Sequence, residues 1–553
     1  EFSYVERPAE VVVQKAMDWL GNQKKSWFLW IHCFDPHQQY NPPEPFKTDY
    51  KDAPYNGEVA YVDHELGRLF AYLRKNRLDE NTLIIFTGDH GESLGQHGES
   101  THGYFAYNST IWIPLIIVFP GVKPAVVDQN VCHVDIFPTV CDVLGMEKPD
   151  FLQGISLVPV LKGKKYNRLS SRAIYFESLY PFYGRGWAPL TGIVQDDIKY
   201  LDSPIPELYN LEKDFDETEN QAERKNLNPY QKTLEKLLEE QSYSGKSSAA
   251  KKVDRDTLER LKSLGYLSSP QASFKENFTR EDDLKVLLPY QNQLQQAMGA
   301  YHKGNVDEGI KILQKIIQER KDFDQAYAYL ATLYKVKRDY RKAVEILREG
   351  YQNCPTSYKV ITTFGIFLTE VREYDAAIQI LQEGLKLIDY DPELWNYLGV
   401  AYWRKGDLGE ALVAFGRSLS LDHNYSIAFN NIGSVYISKF LATKDRSDLD
   451  LSIQNFEKAI ELDPAYASAY NGLGAAYSQA GDIEGAIHSW EKAVEINPEL
   501  GFSLYNLGLS YLRKGNKNRA LEYLNRYKKK EYNRLSQQEK EKLDALIQSC
   551  RKK

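Results

Sequence analysis

The sequence predicts an α/β domain followed by an all-α superhelix. Up to about residue 215, short β-branched apolar runs alternate with amphipathic stretches, which is typical of an α/β layer fold. After residue 290 a fixed period of 34 residues takes over. Seven of the 10 histidines lie within the first 133 residues, so the two parts also differ in chemistry. The length of 553 residues exceeds what one hydrophobic core organises, and we expect about three to four domains.

Composition and charge exclude several classes of protein. Hydrophobic residues make up 42% and charged residues 26%, which excludes a wholly disordered or collagen-like chain. The 69 basic and 76 acidic residues are evenly mixed, which argues against nucleic acid as the main partner. The five cysteines never form a C-x-x-C pair, so neither a thiolate zinc site nor a disulfide framework is indicated. No apolar run reaches the roughly 18 residues of a membrane span.

The first part of the chain alternates predicted strands and helices. Strands are predicted over residues 27–34, 83–87 and 111–119, and we expect the last of these to be buried. Apolar residues at steps of three and four predict helices over residues 57–76 and 133–144. Shorter strands of a smaller sheet are predicted at residues 173–177, 192–195 and 199–201. Between residues 220 and 277 the composition turns to Lys, Glu, Ser and Gln, which predicts helical segments and a mobile linker with a Ser-Gly-Lys-Ser-Ser run at 244–248.

The second part of the chain repeats itself. A small residue followed three positions later by an aromatic or large apolar residue recurs at steps of 34, 34, 34, 41 and 34, at Ala331, Gly365, Gly399, Gly433, Gly474 and Gly508. A second small position, twelve residues later, shows the same excess of seven in the same repeat, which places one insertion around residues 440–448. The pattern resembles the tetratricopeptide repeat, in about seven copies. This resemblance implies a solenoid that binds a protein or peptide partner.

Polar residues at the ends of predicted strands define a candidate site, because an α/β sheet presents its ligands there. They occur after residue 34, after residue 88 and in a glycine-broken loop that follows. Asp, Glu and His without thiolates suit Ca²⁺, Mg²⁺, Mn²⁺ or Zn²⁺ acting as a Lewis acid at an oxyanion. The alternative for an isolated Asp-His-Gly turn is a hydrogen-bonded turn, and His32 and His64 are interpreted as structural. The candidate residues are Asp35, His37, Asp89, His90, His97 and His102.

Four motifs in this order resemble the sulfatases of the alkaline phosphatase superfamily. They lie at residues 34–37 (Phe-Asp-Pro-His), 87–98 (Thr-Gly-Asp-His-Gly-Glu and onward), 133–139 (His-Val-Asp-Ile-Phe-Pro-Thr) and 207–211 (Glu-Leu-Tyr-Asn-Leu). The resemblance covers about residues 1–225 and implies an incomplete alkaline-phosphatase-like sandwich. The segment 258–267 followed by repeats further resembles sulfatase-like proteins that carry a tetratricopeptide array at the C-terminus.

The resemblance implies roles for the candidate residues. Asp89 and His90 match ligands of one catalytic divalent metal ion, for which Ca²⁺ is the first choice and Mn²⁺, Mg²⁺ and Zn²⁺ are alternatives. His37 matches the histidine that contacts the sulfate or the leaving-group oxygen. His102 stands where many sulfatases place a lysine on the ester oxygens, and because imidazole is a shorter, pH-sensitive donor, phosphate esters become an alternative substrate. Asp35 and His97 are candidates for supporting these side chains.

The nucleophile of the family is absent from the sequence. Members attack with a formylglycine made from Cys, or with Ser or Thr, in a Cys-x-Pro-x-Arg-like motif beside two metal-binding aspartates. None of the five cysteines lies in such a motif, and no Ser or Thr replaces it. We therefore expect a catalytic domain that lacks its N-terminal part, and a chain that is inactive by itself. The resemblance also implies a location outside the cytoplasm.

The predicted organisation has four parts. A sulfatase-like domain at residues 1–225 precedes a helical linker at 226–289, a solenoid at 290–530 and a capping helix with a basic tail at 531–553. The predicted function is metal-dependent hydrolysis of sulfate or phosphate esters, with a protein-interaction region. Two alternatives stay open: a non-catalytic scaffold that carries an enzyme remnant, and a phosphoglycerol or phosphoethanolamine transferase.

Overall fold

The computed structural model describes residues 7–164, 166–170, 172–241, 275 and 277–551. They form two compact units. Of the described residues, the first unit contains those up to Tyr183, 187–241 and Asn277–Leu288, and the second contains 184–186, 275 and 289–551. The predicted Ser-Gly-Lys-Ser-Ser run and the segment 258–267 lie outside the described residues. None of the described helices is long and apolar enough to cross a membrane.

Two long helices of the first unit pack against each other. They span Ala9–Gly21 and Pro54–Lys75 and bury apolar side chains against each other, namely Val13, Leu20, Leu69 and Leu73. The second of these confirms the helix predicted at residues 57–76. The other α-helices that the structure describes before residue 242 are Phe46–Asp49, Asn108–Ile111, Ile136–Leu144, Val158–Leu161, Asn167–Ser170, Tyr180–Arg185 and Asn228–Gln241. Short 3₁₀ turns occur at Asp79–Asn81, Gln96–Gly98, His133–Asp135 and Arg280–Asp282.

The described strands form two antiparallel sheets. The smaller sheet pairs β1 (Ile84–Thr87) with β2 (Leu115–Val118), with Ile84 opposite Val118. The larger sheet is a meander of β3 (Ile174–Ser178), β4 (Leu190–Gln195), β5 (Ile198–Asp202) and β6 (Glu207–Asn210), in that order. Its core contains Ile193, Tyr200, Leu208 and, from the helix Asn228–Gln241, Leu234.

Two of the strand predictions need correction. Residues 27–34 are extended, but within the described part of the chain they form no strand and no backbone hydrogen bond, because a ladder requires a neighbour that an apolar run alone does not specify. In the predicted strand at 111–119, only Leu115–Val118 is a strand, and its Ile116 and Val118 are exposed, so the expected burial is wrong. The other predicted strands and the helix at 133–144 are confirmed, the helix with a 3₁₀ first turn.

From residue 284 onward the described chain is helical. Seven antiparallel helix pairs are followed by one further helix. The helices are Leu284–His302, Val306–Glu319, Asp324–Val336, Tyr340–Asn353, Tyr358–Glu370, Tyr374–Leu387, Pro392–Lys405, Leu408–Leu421, Ser426–Thr443, Arg446–Leu462, Ala467–Ala480, Ile483–Ile496, Gly501–Arg513, Lys517–Glu531 and Gln537–Arg551. A 3₁₀ turn, Tyr532–Arg534, precedes the last of them.

The predicted seven-residue insertion lengthens both helices of one pair. Ser426–Thr443 has 18 residues and Arg446–Leu462 has 17, whereas both helices of the following pair have 14. The extra turns keep the two helices in contact, and Phe440 and Leu449 are buried in the same cluster. The insertion therefore extends the repeat without interrupting it.

The repeated small residues allow the two helices of each pair to approach closely. A Cβ atom added to Gly399 would lie 2.6 Å from Cε1 of Phe415, whose side chain is fully buried in the partner helix. We expect Gly399→Ala to lower the free energy of unfolding of the second unit by about 1–3 kcal/mol, because the ring has no room to move. Urea unfolding followed by helical circular dichroism measures this.

The matched control is Gly416→Ala in the same helix pair, where an added Cβ meets nothing within 4 Å. This substitution should stabilise the unit by roughly 0.5–1 kcal/mol through helix propensity. Equal effects of the two substitutions would contradict the packing argument.

Candidate active site

The end of β1 is held in place by a histidine from the helix that begins near residue 133. Nε2 of His133 is 2.9 Å from the carbonyl oxygen of Gly88 and 3.1 Å from Oγ1 of Thr87. Because a carbonyl only accepts, Nε2 of His133 carries the hydrogen. His133 therefore fixes the backbone directly before Asp89 and orients the loop that follows.

Asp89 and His90 present two potential ligands side by side. Oδ1 of Asp89 accepts the backbone N–H of His90 at 2.9 Å, and Oδ2 lies 3.7 Å from Nε2 of the same imidazole. The Asp89 side chain is 77% exposed. Nδ1 of His90 donates to the carbonyl of Gly91 at 2.9 Å, so in the neutral ring Nε2 keeps its lone pair near the carboxylate.

The chemical types of these two side chains suit a divalent cation, but two ligands are fewer than such a cation needs. Carboxylate oxygen and imidazole nitrogen are ligands that such cations accept. Across the described residues, no group of three or more His, Cys, Asp or Glu side chains is arranged to hold a metal ion. Asp89 and His90 therefore fit as part of a ligand set.

His102 is brought to the same place by a carboxylate. Its Nδ1 lies 3.3 and 3.4 Å from the two oxygens of Glu92, and its ring centroid lies 4.0 Å from that of His90. The hydrogen bond to Glu92, followed by the charge of that carboxylate, raises the pKa of His102 against the effect of burial. Burial raises the pKa of Glu92, but the hydrogen bond and charge of His102 outweigh it and lower the pKa overall. The imidazole is thus biased toward its charged, donating form.

Glu92 also connects this loop to the loop that carries His37. Burial, and then the charge of Glu92, raises the pKa of the Tyr40 phenol. The carboxylate of Glu58 accepts the backbone N–H groups of His37 at 2.9 Å and of Asn41 at 2.6 Å, which fixes the loop between them. The structure thus brings His90 and His102 together next to Asp89, and it places the His37 loop beside the Glu92 carboxylate that binds His102.

Asp35 and His97 hold the framework around the site. Oδ2 of Asp35 accepts the backbone N–H of Ala9 at 2.8 Å, at the start of the first helix. The ring of His97 stacks on Tyr107 with centroids 3.6 Å apart, and its Nε2 lies 3.1 Å from the carbonyl oxygen of Asp216. Their predicted supporting role in catalysis stays a prediction.

Three buried acidic residues of the site were not assigned a role from the sequence. Glu58 and Glu92 organise the two loops, and Glu99 accepts the backbone N–H groups of Tyr104 and Phe105 at 2.7 and 3.2 Å. Burial raises the pKa of Glu99 to about 7. Of these three residues, only Glu92 could have been assigned to the site from the sequence, because it follows His90 by two residues in the same glycine-flanked run.

Different protein families match the N-terminal and the C-terminal parts of the chain. Residues 3–146 match the sulfatase family, and residues 95–244 match the C-terminal region of N-sulphoglucosamine sulphohydrolase. Tetratricopeptide repeat families match residues 392–425, 442–481, 467–500 and 502–531.

Individual relatives are similar to part of the chain. The chain is 30% identical over 228 residues to the uncharacterized sulfatase YidJ of Escherichia coli, which covers 39% of this chain and 42% of the relative. It is 33% identical over 196 residues to the N-acetylglucosamine-6-O-sulfatase of Bacteroides thetaiotaomicron, which covers 34% of each. A solved tetratricopeptide repeat protein of Parabacteroides merdae aligns at 16% identity with a TM-score of 0.38, over 48% of this chain and 99% of that protein. The chain thus spans about two fifths or less of the length of these sulfatase relatives.

Proposed function

We propose that this chain is the sulfuric ester-binding part of a hydrolase, joined to a protein-interaction solenoid. Its N-terminal part is sulfatase-like and its C-terminal part is a tetratricopeptide array. The observation that carries this proposal is the series of contacts that follows β1, in which Asp89 lies beside His90, the ring of His90 lies against that of His102, and Glu92 binds His102. It combines two adjacent potential cation ligands with a cationic hydrogen-bond donor, and both kinds of group stabilise the negatively charged oxygens of a sulfate ester.

His102 is the proposed donor to the ester oxygens. Glu92 holds its Nδ1–H and favours the imidazolium, so Nε2–H remains to donate to an oxygen that gains negative charge as the ester bond breaks. His37 is proposed to donate to the same group from the neighbouring loop. A divalent cation bound by Asp89 and His90 would stabilise the ester oxygens as a Lewis acid.

The attacking group is not assigned to any residue of this chain. Cleavage of a sulfate ester needs a nucleophile on sulfur, and the sequence has no formylglycine, Ser or Thr motif for it. We propose that the chain by itself binds the ester group without turning it over. We also propose, by analogy with sulfatases, that the protein acts outside the cytoplasm.

A non-catalytic scaffold is the second candidate function. The small number of potential metal ligands favours it, since the described residues contain no cluster of acidic, His or Cys ligands larger than the pair of Asp89 and His90. In this alternative the solenoid binds its protein partner and the sulfatase-like unit is a remnant. Phosphate esters are an alternative substrate for the first candidate, because His102 replaces the expected lysine.

The substrate assay uses the purified chain with 4-nitrophenyl sulfate and bis(4-nitrophenyl) phosphate, in the presence of Ca²⁺. We expect no turnover of either ester. Turnover that Asp89→Ala abolishes, while the exposed control Asp128→Ala retains it, would contradict the proposal that the nucleophile lies outside this chain.

Binding separates the hydrolase from the scaffold. Calorimetric titration should detect Ca²⁺-dependent binding of inorganic sulfate that His102→Gln weakens by about tenfold or more, since a charge-assisted hydrogen bond is lost. A scaffold remnant binds neither ion. Sequencing the gene upstream of Glu1 gives an independent answer, because a Cys-x-Pro-x-Arg motif behind two aspartates supports the hydrolase and an immediate start codon favours the scaffold.

A further inference from the structure

One junction between helix pairs of the solenoid concentrates acidic residues next to tyrosines. The segment at residues 389–393, which leads into the helix Pro392–Lys405, has the sequence Asp-Tyr-Asp-Pro-Glu. The equivalent segments one repeat earlier and one repeat later, residues 355–359 and 423–427, each contain a tyrosine and no carboxylate. The acidic charge therefore belongs to this junction and not to the repeat pattern.

Neighbouring junctions come together because the first helices of successive pairs contact one another directly. Between Pro392–Lys405 and Ser426–Thr443 the contact includes a hydrogen bond of 2.9 Å from Nδ2 of Asn431 to Oδ1 of Asn396. Three partly exposed tyrosines consequently lie near the acidic segment, one from each of three successive helix pairs: Tyr358, Tyr397 and Tyr425.

The three phenols share the field of the same two carboxylates. Burial, followed by the charges of Glu393 and Asp391, raises the pKa of Tyr397 to about 12. Burial, followed by the charges of Asp391 and Glu393, also raises the pKa of Tyr358. For Tyr425, burial and then Glu393 raise the pKa. The rings thus lie in a region of negative potential, where a cation is attracted both by the carboxylates and by the faces of the rings.

One oxygen of Asp391 is left unsatisfied by the described part of the chain. The residue is 2% exposed, and its Oδ1 accepts the backbone N–H of Glu393 at 3.0 Å, which caps the helix. Oδ2 is buried and, among the described residues, accepts no hydrogen bond of good geometry, although the hydroxyl of Tyr358 lies close to the carboxyl. A buried carboxylate oxygen without a partner costs free energy, which points to a positively charged group that is supplied from outside.

We propose that Asp391, Glu393 and the rings of Tyr397 and Tyr425 bind an arginine side chain of a partner protein. A planar guanidinium can stack on tyrosine rings while its N–H groups face carboxylates, and it is less strongly hydrated than an ammonium group. The occupant follows from charge complementarity, since the carboxylates lie among partly exposed aromatic rings. This inference rests on the proposed interaction role of the solenoid and adds the chemical class of its partner.

The experiment measures fluorescence anisotropy of a fluorescein-labelled peptide, Gly-Ser-Arg-Ser-Gly-Ser-Arg-Ser-Gly, titrated with the whole chain. We expect this peptide to bind about tenfold or more tightly than the same peptide with citrulline in place of arginine, because citrulline has nearly the same shape and no charge. A peptide with lysine in place of arginine should bind about threefold or more weakly than the arginine peptide, because an ammonium group does not stack on a ring.

Variants locate the binding on this surface. Asp391→Asn should weaken binding of the arginine peptide by about fivefold or more and keep the helix cap, since Asn is an equally good N-cap residue. Tyr397→Leu should weaken binding by about threefold or more, whereas Tyr397→Phe, which keeps the ring, should change it by less than about twofold. The matched control is Glu410→Gln, which removes an exposed carboxylate from the second helix of the same pair and should leave binding unchanged. Helical circular dichroism checks that each variant is folded.

Several results would overturn the proposal. Absence of binding, or equal binding of the arginine and citrulline peptides, would mean that the solenoid does not recognise this cation, and equal binding of the lysine peptide would contradict a stacked guanidinium. Binding that Asp391→Asn and Tyr397→Leu leave unchanged, or that Glu410→Gln weakens equally, would place the cation elsewhere or assign it to net charge. Sulfate binding that depends on Ca²⁺ and His102 is measured separately, so failure here leaves the proposed ester-binding function standing.

Discussion

Replacement of Lys199 by Met is expected to lower the free energy of unfolding of the first unit by about 3–5 kcal/mol. Nζ of Lys199 lies 2.6 Å from Oε1 of Glu217 and 3.2 Å from Oδ1 of Asn108, and both charged side chains are almost completely buried. Burial lowers the pKa of Lys199 to about 8 and raises that of Glu217, so each charge depends on the other. Without Lys199, the Glu217 carboxyl is buried without its counterion.

Hydrogen exchange of β4 and β5 in increasing urea reports the first unit specifically. The double variant Lys199→Met/Glu217→Gln should recover a large part of the loss, because no uncompensated charge remains. Arg224→Met is the control, since Arg224 and Glu219 form an exposed pair at 2.8 Å, and it should change stability by less than about 1 kcal/mol. A loss in Lys199→Met no larger than in this control would refute the argument.

The ion pair of Lys199 and Glu217 also supports the candidate active site. Glu217 accepts the backbone N–H of Asn108, whose neighbour Tyr107 carries the stacked ring of His97. Loss of the pair should therefore loosen the loop that contains His97 and His102 before the whole unit unfolds.

Asp135→Asn is expected to destabilise the first unit by about 3 kcal/mol or more at neutral pH. The Asp135 side chain is fully buried, and its oxygens are each 2.7 Å from a guanidinium nitrogen of Arg172. It also accepts the backbone N–H groups of Cys132 and Ile155. An amide retains one acceptor oxygen and no charge, so Arg172 loses its bidentate partner.

The effect of Asp135→Asn should depend on pH. Burial raises the pKa of Asp135, but the Arg172 and backbone hydrogen bonds outweigh it and lower the pKa below its ordinary value. The stability from this carboxylate is therefore present above the ordinary pKa of about 3.9 and lost as the pH falls through the lower, folded-state value. Urea unfolding of the protein and the variant should differ most at about pH 7 and progressively less in strong acid.

Asp142→Asn is the matched control on the neighbouring helix. Its pair with Lys148, at 2.6 Å, is partly exposed, so the expected loss is at most about 1 kcal/mol. A stability difference between the protein and Asp135→Asn that does not change with pH would contradict the assignment of the effect to the charged pair.

The sequence by itself determined the repeat array and the local part of the candidate site. The period identifies the close helix pairs because each contact, such as that of Gly399 with Phe415, forms between neighbouring helices of one repeat. Asp89, His90 and His102 could be grouped because they leave the same strand within one short loop. In both cases the interacting residues are close along the chain, so the pattern of residue types predicts which of them lie together.

Only the tertiary structure decided which distant residues meet. The pairing of Asp135 with Arg172, 37 residues away, and of Lys199 with Glu217 is invisible in a sequence where such residues are ordinarily on the surface. The same holds for Glu58 and for the exposure of Phe28 and Trp30. An apolar alternating run specifies an extended backbone, but whether that backbone has a neighbour and a cover depends on chain segments brought together by folding.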